Sequence, residues 1–210
     1  MNIIAPDNFE KKFGELRGFL FRGLKTEEEC DNEGIEYNED EHKLKDGVDQ
    51  IDETVLDVIV QNIFRKAQLE KEYTIFYGEL CERKIKLELA LRGDSAKLSN
   101  MKNSLFRKTL FNVCKTCFEK FFDHEERTKQ ISNPDTAVLF KTKLFGNIDF
   151  VGELYRRKLL PHATMISVFE SLLGISDVEK IDDLVIEGAI NLMNKVGQNF
   201  EEQANNTGKK

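Results

Sequence analysis

The stretch from residue 139 to 160, LFKTKLFGNIDFVGELYRRKLL, leaves the chain little choice of fold. Leu144, Ile148, Val151 and Tyr155 recur at i, i+4, i+7 and i+11, which is one stripe of an α-helix. Phe140, Phe145, Phe150 and Leu154 spread apolar surface around the circumference. A helix that is apolar on more than one side is held between neighbours. Gly146 and Gly152 sit inside it, and each costs about 1 kcal/mol relative to alanine in a helix interior. Close approach of another helix is the reason expected to offset that cost. Lys158 in the last turn suits the negative end of the helix dipole. The helix is predicted to stop near Leu160, because Pro161 disfavours helical angles in the residue before it.

The rest of the chain reads the same way. Residues 8–24 form a first helix on Phe9, Phe13, Leu16 and Leu20, with Asp7 or Asn8 as cap. Residues 26–42, TEEECDNEGIEYNEDEH, are acidic and poor in large apolar side chains, so a solvated loop is expected within an insert spanning 26–50. Residues 48–68 and 73–91 carry two more helical stripes, the second with a break expected near Glu82. Gly93 can end that helix, and Asp94 or Ser95 can cap a long helix over 96–122. Residues 123–134 read as a connector. Pro161 opens the next helix and Gly174 closes it. Asp177 caps a last helix built on Leu184, Ile186, Ala189, Ile190, Met193 and Val196, with Gly197 at its end and a polar tail over 201–210. The expectation is an all-α chain of about eight helices in one domain over residues 1–200. None of these helices can bury its stripe alone, so a bundle or a stacked solenoid of antiparallel hairpins is the natural solution.

Charge and composition narrow the function. A formal net charge of −7 makes the chain a poor general ligand for phosphate backbones, so any RNA contact would be local and weak. No apolar window is long enough to span a bilayer, and the first residues lack a basic region followed by an apolar run, so neither a membrane span nor a secretory signal is expected. Four cysteines in that context point to free thiols in a reducing, cytoplasmic compartment. Cys114 and Cys117 form a C-x-x-C, but it falls mid-helix with no second pair of ligands, so packing is expected and no metal. His42, His124 and His162 are scattered, and no phosphate loop or nucleophile elbow is present. The expectation is a monomeric protein without a cofactor that is not an enzyme.

The string Gly146-Asn147-Ile148, then Phe150, Gly152-Glu153-Leu154-Tyr155, followed by Arg156, Arg157 and Lys158 and a leucine pair, resembles the signature helix of the middle domain of eukaryotic translation initiation factor 4G. Two further patches match in order: Phe64, Lys66, Ala67, Tyr73, Tyr77, Leu80 and Cys81; and Phe106-Arg107-Lys108 with Leu110, Asn112 and Cys114, then Phe118-Glu119-Lys120. The family's Arg-x-Phe-Met-Leu-x-Asp-like helix has no counterpart here. The resemblance implies a HEAT-like α-α superhelix and a scaffold that holds a DEAD-box RNA helicase, initiation factor 4A, in translation initiation. A related scaffold in messenger RNA decay or splicing is the alternative it leaves open. For the docking surface it points to Phe145, Asn147, Phe150, Glu153 and Arg156, although Phe145 and Phe150 also read as core. Lys141, Lys143, Arg157 and Lys158 flank the helix and are the candidates for an RNA contact, or simply a solvated face.

Overall fold

A computed structural model describes residues 5–21, 27–38, 51–93, 101–173 and 183–207. They form an all-α superhelix with nine α-helices and no strand among the described residues. The helices are α1 (Phe9–Phe21), α2 (Glu27–Glu33), α3 (Glu53–Leu69), α4 (Thr74–Leu91), α5 (Leu105–Phe122), α6 (His124–Ser132), α7 (Pro134–Arg156), α8 (His162–Leu172) and α9 (Asp183–Thr207). Single 3-10 turns cover Lys71–Tyr73 and Met101–Asn103.

The helix that dominates the sequence is also the centre of the fold. α7 packs on α3, α4, α5, α6 and α9, and eleven of its residues are buried. Both of its glycines mark crossings. A Cβ at Gly146 would lie 1.9 Å from the carbonyl oxygen of Gln68, so α3 and α7 touch backbone to backbone. A Cβ at Gly152 would lie 3.1 Å from Leu192 and Lys195 of α9. Gly78 of α4 and Gly188 of α9 make room in turn for Glu153 and Ile148, each 2.7 and 2.6 Å from where a Cβ would stand. The pairing gives the helix directions. Phe150 meets Phe64 edge to face at 5.7 Å, one turn beyond the Gly146–Gln68 contact, so α7 runs antiparallel to α3. Gly152 faces Leu192 as Ile148 faces Gly188, so α9 runs with α7.

α7 differs from its predicted bounds at both ends. Asn133 accepts from the Asp135 amide and Pro134 occupies the first turn, so the helix begins five residues early. It ends at Arg156 because Lys158 adopts φ 62°, and the amides of Lys158 and Leu159 bond back to Tyr155 and Leu154. That is a Schellman motif with lysine in the left-handed position. Lys158 therefore lies past the helix and not in its last turn.

Other departures have local causes. The acidic run is not all loop: Glu27–Glu33 is helical around a fully buried Cys30, and Gly34 closes it at φ 67°. Residues 39–50 lie outside the described residues. α4 runs through Glu82 without a break and ends at Leu91, two residues before Gly93 at φ 71°. Asp94 and Ser95 lie outside the described residues, and the cap of α5 is Ser104. There the buried Glu88 carboxylate of α4 accepts from the Leu105 and Phe106 amides at 2.7 and 3.1 Å and from the Ser104 hydroxyl at 2.5 Å. The connector over 123–134 contains α6, capped by Asp123. α9 passes through Gly197 into the supposed tail as far as Thr207, anchored by Phe200 against Tyr155, His162 and Phe169. Its buried stripe is Val185, Ala189, Leu192 and Val196, leaving Ile186, Ile190 and Met193 exposed where core was expected. The stop at Gly174 and the cap at Asp177 lie outside the described residues. α1 is fixed to α4 by two cations: Lys84 donates to the Phe13 carbonyl at 2.7 Å and lies 3.9 Å from its ring, while Arg83 pairs with Glu10 and stacks on Phe13.

Candidate functional site

One edge of α7 stays at the surface, and charged side chains from four elements converge on it. Lys141 bonds Glu187 of α9 at 3.2 Å and lies 5.4 Å from the centre of the half-buried Phe145 ring. Two turns on, Asp149 is flanked by Lys71 at 2.9 Å and Lys195 at 3.7 Å. The Lys71 contact is an ion pair by distance, since Asp149 Oδ2 has no aligned donor. Further along, Glu153 accepts from Arg157 Nε at 2.8 Å and from Arg156 at 3.1 Å. Arg157 also donates to Glu82 of α4 at 2.8 Å and to the Ile75 carbonyl at 3.2 Å, and Lys86 completes the group by donating to Glu82 at 2.7 Å.

The electrostatics follow from depth. Glu82, Asp149 and Glu153 lie low, with Glu153 only 4% exposed, while Glu187, Lys71 and Arg156 stand out at 51%, 61% and 47%. Burial works to raise the Glu82 carboxyl, but hydrogen bonds from Lys86 and Arg157 outweigh it and hold the group below the ordinary glutamate range. Burial likewise disfavours the Arg157 charge, and its bonds to Glu82 and Glu153 more than restore it. Lys195 is pushed down by burial, with Arg156 and Lys71 adding repulsion against the pull of Asp149 and Glu153. The result is a strip of exposed cations, Lys71, Lys86, Lys141 and Arg156, over the recessed carboxylates of Glu82, Asp149 and Glu153, with Glu187 exposed on its α9 side.

The residues singled out in the sequence are divided by this geometry. Lys141, Phe145 and Arg156 share the exposed edge. Asn147, Phe150 and Glu153 are buried; Phe150 packs on Phe64 of α3, and Glu153 reaches the edge through its bond from Arg156. Asn147 is fully enclosed, and neither amide atom has a hydrogen-bond partner among the described residues. The four candidate RNA cations do not form a patch. Lys141 leans toward α9, Lys143 lines a groove shared with α5 and α6, Arg157 is tied into the Glu82–Glu153 group, and Lys158 is exposed beyond the helix end. Lys71, Glu82 and Lys195 escaped sequence reasoning as members of this group. All three arrive from other helices, and their spacing in the chain carries no signal of it.

The thiols belong to the core. Cys81 and Cys114 are buried, and burial raises both well above the usual thiol range; Cys117 is half-buried and also raised by burial. Among the described residues no three His, Cys, Asp or Glu side chains are placed to hold a metal, and no helix is long and apolar enough to cross a membrane.

No family model matches the chain. It is similar to eukaryotic translation initiation factor 4G of Cucumis melo, 22% identical over 210 residues that cover 94% of this chain and 9% of that protein. Eukaryotic translation initiation factor 4 gamma 1 of Mus musculus is 27% identical over 144 residues, covering 60% of this chain and 9% of its own length. Eukaryotic translation initiation factor 4 gamma of Dictyostelium discoideum is 23% identical over 185 residues, 72% of this chain and 13% of its own. The chain thus spans about a tenth of the length of the curated relatives it matches. These matches support a domain related to the initiation factor 4G proteins.

Proposed function

We propose that the chain is a non-enzymatic scaffold of translation initiation, built like the middle domain of initiation factor 4G, which docks the DEAD-box helicase initiation factor 4A. The observation that carries this reading is the α7 edge. The string that resembles the family signature forms the central helix, and its outward face is an ordered array of cations and one half-buried aromatic ring. Glu153 holds Arg156 in place, and Glu187 of α9 holds Lys141. The mechanism is conformational bias: a scaffold that binds the closed arrangement of a two-lobed helicase more tightly than the open one raises its activity without chemistry of its own. Contact with RNA is weak and salt-sensitive, given the net charge of −7 and the scattering of the flanking cations. The setting is cytoplasmic.

The test is binding of the chain to purified initiation factor 4A, with and without ATP and RNA. Saturable binding that Phe145→Asp and Arg156→Glu abolish is the expected outcome. Absence of binding at tens of micromolar, with helical circular dichroism intact, sinks the helicase reading and leaves the fold in search of another partner.

A further inference from the structure

A second surface, on the other side of α3 from α4, is built for a different ligand. Asp57, Gln61, Arg65 and Gln68 form one stripe of α3, and Asn112, Thr116 and Lys120 form one of α5. The two stripes wall a groove of about 590 Å³, which continues past Gln68 and Lys120 into a second lobe of about 320 Å³ bounded by α6 and the start of α7.

The chemistry of the groove is unspent. Gln68 is only 7% exposed, lines both lobes, and makes no side-chain hydrogen bond among the described residues. Asn112, Thr116, Lys120 and Lys143 likewise have no side-chain hydrogen bond or ion pair among the described residues. The two carboxylates in the walls are already engaged, Asp57 by Gln61 at 2.6 Å and Glu126 by Gln130 at 2.8 Å. A groove therefore offers free amides, which both donate and accept, beside free ammonium groups, which only donate.

We infer that this groove binds an extended, acidic peptide segment of a partner protein. A peptide main chain presents alternating donors and acceptors, and side-chain amides satisfy both kinds. Gln68 on α3 and Asn112 on α5 offer such amides from opposite walls of the groove. Lys120 and Lys143 select carboxylate side chains along it. Single-stranded RNA fits less well, because it needs exposed aromatic platforms, and the rings that line the groove, Phe64, Phe121 and Phe140, are buried or half-buried.

The experiment pans a phage-displayed library of short random peptides against the intact chain and measures selected synthetic peptides by fluorescence anisotropy. Acidic peptides of micromolar affinity are expected, weakened roughly tenfold by Gln68→Ala and by Lys120→Glu and left unchanged by Lys102→Glu, an exposed site elsewhere. Lys143→Glu is read in parallel, so that a poorly folded Gln68 variant does not decide the matter. No enrichment, enrichment of peptides without Asp or Glu, or affinity indifferent to the groove variants overturns the inference. So does oligouridine binding through the same residues as tightly as the peptides. Phe145→Asp and Arg156→Glu leave peptide binding intact, which separates this site from the helicase reading.

Discussion

At the scale of single residues, the glycines make opposite demands. Gly146 has no room for a methyl group, because the obstacle is the backbone of Gln68 and not a side chain that can turn away. Gly146→Ala is expected to destabilise the fold by about 3 kcal/mol, the upper end of ordinary overpacking. Gly197 is the control: its nearest neighbour is Met193 Sδ at 3.6 Å, an ordinary contact. Gly197→Ala is expected to stabilise by about 1 kcal/mol through helix propensity alone. Urea unfolding of both variants checks the pair. The tight position was legible in the sequence, since a glycine within an all-round apolar helix asks for a close neighbour. Lys158 was not, because a lysine gives no hint of a left-handed backbone.

At the scale of elements, the join between α4 and α7 has its own pH response. The Glu82 carboxyl is held below its ordinary value of 4.5, so the folded state releases that proton more readily than the unfolded chain. Its contribution to stability is complete above about pH 4.5 and is lost as the pH falls through the lowered value. Glu82→Gln should therefore melt at a lower temperature than wild type near neutrality, and the gap should close in acid; thermal melts across that range would show it. The sequence revealed the elements themselves, because their apolar periods are long. It misplaced their ends wherever the signal came from another segment. Ser104 starts α5 because Glu88 reaches it across the hairpin, and α9 outlasts Gly197 because Phe200 finds an aromatic pocket. The α9 stripe was read one face away, since Ile186, Ile190 and Met193 are as apolar as the residues that are buried. The candidate site was half legible: α7 was identified, but the cations of Lys71 and Lys195 come from outside it.

At the scale of the whole molecule, one continuous core runs from Phe9 in α1 to Val196 in α9. Because α7 joins α3, α4, α5 and α9 in that one core, unfolding is expected to be a single transition. The chain has no tryptophan, and two of its four tyrosines, Tyr77 and Tyr155, are fully buried. Tyrosine emission should therefore report on the core, and its urea midpoint should coincide with that of far-ultraviolet circular dichroism. Two separated midpoints would mean that the α9 end melts by itself. The backbone contact between Gly146 and Gln68 also has a genetic side. Every amino acid that a single base change can reach from a glycine codon carries a Cβ, and none fits a gap in which that atom would meet a carbonyl oxygen at 1.9 Å. In a library of all point variants selected for function, that column should stand empty while most of the outer face of α9 fills.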